Sequence, residues 1–273
     1  MYKATNVRLY ASVVDDNNVA NFAPDQEAGG AKVMSTNGFT ADSSEFDGNR
    51  GNGLWFDIGT SNSVIVHNEA SRNKLAGIQY EISSNATIAG NVADGNHVAG
   101  VLVNESQHVQ VWNNVLYDDG ASFAVWEGAR PQNSTDITYR NNVMMGGTVS
   151  SWALLLVDDA TSQASRAAMA LTADNDAYCR ANTKLPWNVA GWVSGATMTG
   201  YRTLPALTPA TGDEAHGVPC DGTAADAMFV NPARGNFTLA PGSPGIGAGA
   251  PLPPTVAAAL GVTATGPVDL GVI

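Results

Sequence analysis

Residues 51–73 read GNGLWFDIGTSNSVIVHNEASRN, and residues 77–96 read GIQYEISSNATIAGNVADGN. Both stretches contain one short phrase that recurs along the chain at intervals of 23, 24, 23 and 22 residues. Its copies begin at Gly30, Gly53, Gly77, Gly100 and Ser122. A period in the low twenties is too long for a heptad repeat and too short for a repeat of helix pairs. The repeat therefore predicts a solenoid in which each period is one coil.

Alternation within the phrase predicts strands instead of helices. The second and fourth positions of each copy are apolar, as in the pairs Leu54/Phe56 and Ile78/Tyr80, whereas the third and fifth positions are mixed. A period of two is typical of a half-buried strand, because successive side chains point to opposite faces of a sheet. Stacked coils of this kind are predicted to form parallel sheets around a narrow core.

Two columns of polar residues keep step with the repeat. The first column contains Ser44, Asn68, Asn91, Asn114 and Asn142, and the second contains Asn49, Asn73, Asn96 and Asp119. An inward asparagine at a turn can bond to the backbone of its own coil and to the asparagines above and below it. We therefore predict asparagine ladders inside the turns of the solenoid.

With these features the chain resembles the bacterial right-handed parallel β-helix proteins of the pectate-lyase-like superfamily. The resemblance is carried by residues 51–73 and 77–96 and by the ending FVNPARGNFTLAPGSPGIGAG at residues 229–249. It implies an all-β fold, a single-stranded right-handed parallel β-helix with coils of about 22–24 residues. It also implies a connection to carbohydrates, since the superfamily includes polysaccharide lyases, glycoside hydrolases and sugar epimerases, together with phage and surface proteins without catalysis.

Length and composition fit one solenoid domain. The chain has 273 residues, of which 44% are hydrophobic, and this is enough to bury a continuous core. We predict a single domain over residues 1–273, with regular coils over about 5–150, an irregular excursion over about 160–228, and a closing coil and tail over about 229–273.

The charge balance argues against two classes of partner. There are 13 Lys and Arg residues against 25 Asp and Glu residues, and the net charge is −12. Such a chain is not expected to bind nucleic acid or an anionic membrane surface. No apolar run approaches the roughly 18 residues of a transmembrane helix, so no membrane span is expected. The partner implied by the resemblance is a polysaccharide or oligosaccharide.

The N-terminal residues have the pattern of the second half of a coil. Residues 5–17 match the second half of the repeat, with Ser12 and Asn17 in the two polar columns. An open coil exposes apolar interior, so we expect a covering segment or self-association there. The opening residues do not have the pattern of a signal peptide, and the chain is interpreted as a mature form or a piece of a longer one. The resemblance implies a secreted or cell-surface protein.

The two cysteines, Cys179 and Cys220, lie 41 residues apart in the irregular region. Their number and spacing do not fit a zinc site. With an extracellular family in view, a disulfide between them and two buried free thiols both remain open.

Functional side chains are expected at the outward positions of the repeated phrase, because the inward side chains pack in the core. The third positions hold Lys32, Trp55, Gln79, Leu102 and Ala124, and the fifth hold Met34, Asp57, Glu81, Asn104 and Trp126. Asp57 and Glu81 are thus expected on consecutive coils, with backbones about 4.8 Å apart. Two carboxylates this close repel, and their environments can separate them into a general acid and a base or nucleophile. The pair predicts the catalytic residues of a glycoside hydrolase.

The remaining outward residues are candidate substrate contacts. Trp55 and Trp126 have the aromatic faces that stack on sugar rings. The other candidates are Lys32, Gln79, Asn104 and, from the loop before the first full coil, Glu27.

Two other interpretations of the same residues remain open. In the first, Asp57, Glu81 and Asn104 form an oxygen-rich Ca²⁺ site and Lys32 is the base of a β-elimination, as the resemblance to lyases implies. In the second, the carboxylates are solvated residues on the face of a non-catalytic glycan-binding or structural module. Hydrolysis of a neutral or weakly charged glycan, without a cofactor, is the first choice of the three.

Overall fold

A computed structural model of the chain describes residues 1–130, 133–146, 153–159, 161, 163–180, 188–263 and 266–273. The strands are β1 Thr5–Tyr10, β2 Ala31–Met34, β3 Asn37–Asp42, β4 Glu45–Asp47, β5 Leu54–Asp57, β6 Ser61–Val66, β7 Glu69–Ser71, β8 Ala76–Glu81, β9 Ser84–Ala89, β10 Val92–Asp94, β11 Ala99–Asn104, β12 Gln107–Trp112, β13 Val115–Tyr117, β14 Ala121–Trp126, β15 Thr135–Arg140, β16 Val143–Gly146, β17 Ala153–Asp159, β18 Leu171–Asp174, β19 Ala177–Arg180, β20 Asn188–Ser194, β21 Thr197–Tyr201, β22 Val218–Pro219, β23 Phe229–Asn231 and β24 Asn236–Leu239. The helices are α1 Arg166–Met169, α2 Leu204–Thr211, α3 Ala225–Met228 and α4 Pro254–Leu260, with a 3₁₀ turn at Pro232–Arg234.

Every third strand belongs to the same sheet, which makes the architecture a parallel β-helix. The first sheet has the order β2-β5-β8-β11-β14-β17-β20, the second β1-β3-β6-β9-β12-β15-β18, and the third β4-β7-β10-β13-β16-β19-β22. Neighbouring strands in all three sheets are parallel, and only β21 is added to the first sheet in the antiparallel direction. The predicted stacking of coils is confirmed.

The core lies between the three sheets, and the alternation of the repeat fills it. The inward positions of the first sheet are fully buried, including Phe56, Tyr80 and Phe123. Phe56 packs against Tyr80 of the next coil with ring centroids 5.5 Å apart. Burial of these aromatic side chains adds to the hydrophobic stabilisation of their coils.

Both asparagine ladders are present. Asn91 illustrates the pattern, since its Oδ1 accepts hydrogen bonds from the backbone N and the Nδ2 of Asn68, each at 3.0 Å. Its own Nδ2 donates to the backbone oxygen of Ile65 at 2.9 Å and to Oδ1 of Asn114 at 3.0 Å. The first ladder ends at Asp176 and the second at Asp119, so a carboxyl group replaces the amide at each end.

Replacing Asn91 with alanine is expected to lower the free energy of unfolding by about 1–3 kcal/mol, because it strands buried donors and acceptors on the coils above and below. Thr87→Ala removes a partly exposed side chain from the same coil and serves as the control. Denaturant titration of both variants measures the difference. A midpoint for Asn91→Ala that equals that of the control would contradict a stabilising ladder.

The regular coils continue further than the sequence spacing predicts. Strands β17 to β20 extend all three sheets beyond residue 150, into the region predicted to be an irregular excursion. The longer connections between these strands change the interval of the repeat. The parallel pairing of the strands continues although the regular spacing in the sequence is lost. Residues 181–187, within the region predicted to be irregular, lie outside the described residues.

The C-terminal region covers the outside of the coils. Cys179 of β19 forms a disulfide with Cys220, which follows β22. Helix α4 packs Val256 and Leu260 against Val66 and Trp112 on the outer face of the second sheet. Asn113 donates hydrogen bonds to the backbone oxygens of Asp269 and Gly271, at 2.8 and 3.0 Å, and so fixes the returning tail. In the described part of the chain no helix is both long and apolar enough to cross a membrane.

Candidate functional site

The outward column predicted from the sequence is a continuous row on the first sheet. Its paired positions are Met34 with Asp57, Glu81 with Asn104, Asn104 with Trp126, and Trp126 with Asp158. Asp57 and Glu81 each follow a paired residue, Phe56 and Tyr80 respectively, so they lie side by side on β5 and β8. Asp158 continues the row by one coil and was not identified from the sequence.

Lys32 holds Asp57 at the N-terminal end of this row. Its Nζ lies 2.9 Å from Oδ2 of Asp57 and 3.5 Å from the centroid of the Trp55 ring. It also donates to the backbone oxygen of Gln26 at 2.7 Å and lies 3.5 Å from Oε2 of Glu27. These contacts fix the ammonium group of Lys32 against Asp57 and the Trp55 ring, so Lys32 positions both side chains.

Four donors orient the carboxylate of Glu81. Its Oε2 accepts from Nε1 of Trp55 at 2.8 Å and from Nε2 of Gln79 at 3.0 Å. Its Oε1 accepts from Nδ2 of Asn104 and from a guanidinium nitrogen of Arg130, both at 3.1 Å. Burial raises the pKa of Glu81, and the nearby charge of Asp57 raises it further, while the bonds from Arg130 and Trp55 oppose the shift.

Arg130 comes from the loop after β14 and reaches back across the sheet. The same nitrogen that contacts Glu81 lies 3.1 Å from Oε2 of Glu105, and the backbone N of Arg130 donates to Oε1 of Glu105 at 3.1 Å. Gly128 permits this approach, because a Cβ atom there would overlap Oε1 of Glu105. Sequence analysis missed Arg130. The available signal was a basic residue in the one longer connection beside the acidic column.

An open cleft of about 480 Å³ lies over this part of the row. Its chemically active lining consists of Glu81, Glu105, Trp126, Glu127, Arg130 and Asp158. Three of the predicted residues, Glu81, Asn104 and Trp126, thus line one cavity. Asp57, Lys32 and Trp55 are not part of its lining.

Glu127 has the most unusual environment in the cleft. Its side chain is 4% exposed, its Oε1 accepts a hydrogen bond from the backbone N of Ser134, and its Oε2 has no hydrogen-bond partner among the described residues. Burial raises the pKa of Glu127, hydrogen bonding with Ser134 opposes the shift, and the neighbouring charges of Glu105 and Asp159 raise the pKa further. A carboxyl group of this kind is suited to hold a proton and to donate it.

Several residues predicted to contact substrate lie outside the lining of the cleft. Trp55 is only 6% exposed, with its ring beside Lys32 and its Nε1 bonded to Glu81, so it supports the site instead of offering a free face to a sugar. Gln79 is similarly buried and orients Glu81. Glu27 has a side chain that is 72% exposed and contacts only the edge of the Lys32 network.

The residues proposed for Ca²⁺ do not fit a cation site. Asp57 is paired with Lys32, both oxygens of Glu81 already accept hydrogen bonds, and Asn104 turns its NH₂ group toward Glu81. Ca²⁺ requires six to eight oxygen ligands. Over the described ranges, no group of three or more His, Cys, Asp or Glu side chains is arranged to hold a metal ion.

A second cavity, of about 320 Å³, lies near the C-terminal coils, away from these carboxylates. Its lining is largely apolar and includes Leu155, Leu171 and Leu207. The charged groups at its wall, Arg166 and Asp213, form an ion pair with one another. This cavity therefore offers no acid and base pair for the predicted chemistry.

Comparison with known proteins supports the fold. Residues 1–116 match the family model described as the right handed beta helix region. The match includes Asp57, Glu81 and Glu105 and ends before Glu127 and Arg130. No curated protein matched the chain in a sequence search.

Proposed function

We propose that this chain, a right-handed parallel β-helix protein, is a secreted carbohydrate-active enzyme that hydrolyses a polysaccharide in the cleft beside Glu81. The observation that carries the proposal is the meeting of two unlike carboxyl groups in one open cleft. Glu81 is oriented by four donors, whereas Glu127 is buried and one of its oxygens has no donor in the described part of the chain. A glycosidase requires this combination of an oriented carboxylate and a carboxylic acid that holds its proton.

The roles follow from these environments. Glu127 is the general acid that protonates the leaving oxygen, because burial raises the pKa of its carboxyl group. Glu81 is the general base, and its raised pKa makes it a stronger base for an attacking water. Arg130 and Glu105 position Glu81. Asp57, which the sequence paired with Glu81, serves in this proposal to hold Lys32 and to raise the pKa of Glu81.

The spacing of the strands favours inversion at the anomeric carbon. Glu81 lies on β8, and Glu127 directly follows β14, two strands away in the first sheet. Two strand spacings correspond to about 9–10 Å between backbones. This leaves room for a water molecule between the carboxyl groups, as inverting hydrolases require.

Product release from a panel of neutral, amino and uronic polysaccharides tests the proposal. New reducing ends of inverted configuration are expected, without the ultraviolet absorbance of an unsaturated sugar. Glu127→Gln and Glu81→Gln should each lower kcat/KM by at least about 100-fold, since each removes a proton-transfer group. Glu69→Gln, an exposed residue on the third sheet, removes the same charge and is the control.

Other outcomes would select the alternatives. An unsaturated product would indicate a lyase, which the engagement of Lys32 and Asp57 with one another does not favour. Glycan binding without any product would indicate a binding module. That second candidate is supported by the four hydrogen bonds of Glu81, which also suit a rigid binding surface.

Two further features of the proposal have separate support. Secretion is supported by the disulfide between Cys179 and Cys220, because such bonds persist mainly in oxidising compartments. Self-association through the N-terminal coil is supported by the exposed apolar side chains Tyr2, Tyr10 and Val13 near the outer edges of the three sheets.

A further inference from the structure

We propose that the cavity of about 320 Å³ near the C-terminal coils binds a small neutral aromatic compound that carries one hydroxyl or carbonyl group. The inference is independent of the proposed hydrolysis, because the lining of this cavity and the lining of the cleft share no described residue. Four observations carry it: the position of the cavity in the core, an unpaired hydroxyl group, a pair of opposite charges and an aromatic wall.

The cavity lies inside the main hydrophobic core, where the last coils meet helix α2. Leu155 of β17, Leu171 of β18 and Ala190 of β20 line it from the coils, and Leu207 lines it from α2. All four are buried and belong to the same core cluster. Protein interiors are close-packed and contain few voids larger than a water molecule, whereas ligand pockets have volumes from about 300 Å³ upward. The size of this cavity therefore indicates a ligand site.

Tyr139 brings an unpaired hydroxyl group to this cavity. Its ring packs against Phe123 with centroids 4.9 Å apart, the residue is 1% exposed, and its hydroxyl makes no hydrogen bond to any described residue. Burial raises the pKa of Tyr139 and the charge of Asp213 raises it further, so the hydroxyl lies near a residue that lines the same cavity. A buried polar atom without a partner costs free energy, and a ligand that supplies the partner recovers it. The neutral phenol thus indicates a ligand with a hydrogen-bond acceptor.

The charged groups of the wall favour a neutral ligand. Arg166 and Asp213 are the charged residues of the described lining, and they form an ion pair with one another. An anionic ligand would bring its charge beside Asp213, and a cationic ligand would bring its charge beside Arg166. Like charges at close range disfavour binding in both cases.

Aromatic side chains favour a flat ligand. Trp192 and Tyr201 line the cavity together with Tyr139, and aromatic groups gain from stacked or edge-to-face packing beyond the area that they bury. The Trp192 ring is held in place, since its Nε1 donates to Oδ2 of Asp159 at 3.3 Å and Cζ of Arg166 lies 5.5 Å from the ring centroid. A cavity of about 150 Å³ holds benzene, so this one has room for about two rings.

A sugar ring is a poor occupant, because several polar groups of the wall are already bonded within the protein. Oγ of Ser165 accepts from the backbone N of Ala168 at 3.1 Å, and Oγ1 of Thr211 donates to the backbone oxygen of Leu207 at 3.0 Å. The many hydroxyl groups of a sugar would lose their water without gaining partners. The ligand is therefore expected to carry one polar group, placed at Tyr139.

Calorimetric titration near neutral pH with 2-naphthol, 2-methylnaphthalene, 2-naphthoate and cellobiose tests the inference. We expect one 2-naphthol molecule to bind per chain, at least about tenfold more tightly than the anionic 2-naphthoate, because of the charge repulsion at the wall. Cellobiose should not displace 2-naphthol. Binding of 2-naphthol should also raise the melting temperature, since it stabilises the folded state alone.

Three variants place the ligand in the cavity. Tyr139→Phe should weaken the binding of 2-naphthol by about fivefold and leave that of 2-methylnaphthalene unchanged, since one hydrogen bond between neutral groups has about this value. Ala190→Leu and Ala164→Leu each fill part of the cavity and should weaken the binding of both compounds at least about tenfold. Ala258→Leu adds the same bulk at an exposed position of α4 and is the control.

Three results would overturn the inference. They are undetectable binding of 2-naphthol to the wild-type protein, binding of 2-naphthoate with equal affinity, and undiminished binding of 2-naphthol in both filling variants. An equal loss of both naphthalene compounds in Tyr139→Phe would overturn the role of the hydroxyl group. Since the first two measurements need no substitution, they decide the matter even if a variant folds poorly.

Discussion

Replacing both Cys179 and Cys220 with alanine is expected to lower the free energy of unfolding by about 4 kcal/mol. The disulfide closes a loop over a sequence separation of 41 residues, and in the chain-entropy model such a cross-link restricts the unfolded chain by about this amount. The bond also fastens β19 to the segment that contains β22. Its loss should release the C-terminal region first.

Denaturant unfolding of the double variant measures this effect, and alanine avoids placing new hydroxyl groups where the two side chains are buried. Wild-type protein unfolded in the presence of a reductant should match the variant. A decrease of less than about 1 kcal/mol in both experiments would show that the ion pair of Arg180 with Asp221 and the strand pairing hold this junction without the disulfide.

The second large effect expected is a loss of stability as the pH rises, centred on Asp176. This residue ends the first ladder, where its Oδ1 accepts from the backbone N and Nδ2 of Asn142 at 2.7 and 2.8 Å. Burial raises the pKa of Asp176 to about 7 from an ordinary value of 3.8. Glu214 bonds to Tyr178 beside it, and burial together with the charge of Asp176 also raises the pKa of Glu214.

The direction of this pH effect on stability follows from proton linkage. The folded state holds the proton more tightly than the unfolded state, so the contribution to stability is fully present below about pH 4 and is lost as the pH rises through about 7. For a group buried this completely, the contribution to the free energy of unfolding is on the order of 4 kcal/mol. Asp176→Asn keeps the acceptor of the ladder and removes the titration.

Unfolding of the wild type and of Asp176→Asn across pH 4–8 separates Asp176 and its coupled neighbour Glu214 from the other acids. The two proteins should have similar stability at pH 4, and the variant should be the more stable at pH 8. Parallel stability curves over the whole range would mean that Asp176 does not titrate with the fold. Asp119, which ends the second ladder, is unchanged in both proteins and cancels in the comparison.

Most of the fold was predictable because it depends on local, repeated residues. The inward apolar positions and the asparagine columns each recur once per coil, and a strand with a period of two has only one way to place them inside a parallel stack. The continuation of the sheets through β17 to β20 has no regular interval in the sequence, since inserted connections change the spacing while the pairing of the strands tolerates them.

The candidate site was predictable only in part. Glu81, Asn104 and Trp126 were identified because the outward column has a fixed register. Arg130 was missed because its role depends on a loop that folds back over two coils, and contacts of this kind leave no periodic signal. Glu127 follows the end of β14 and was not among the predicted site residues, because its burial, and an oxygen that has no donor among the described residues, are visible only in the structure.

The sequence by itself determined the solenoid, its coil length, its ladders and the row on which the carboxylates stand. These properties follow from side-chain periodicity, which the backbone geometry of a strand converts directly into faces. Only the tertiary structure decided which carboxylates share a cleft. It also decided that Asp57 is ion-paired with Lys32 and that Glu127 has an oxygen with no donor among the described residues. The burial of a side chain, and the pKa shift that follows from burial, depend on which residues pack over it. The position of a residue in the repeat does not specify these neighbours.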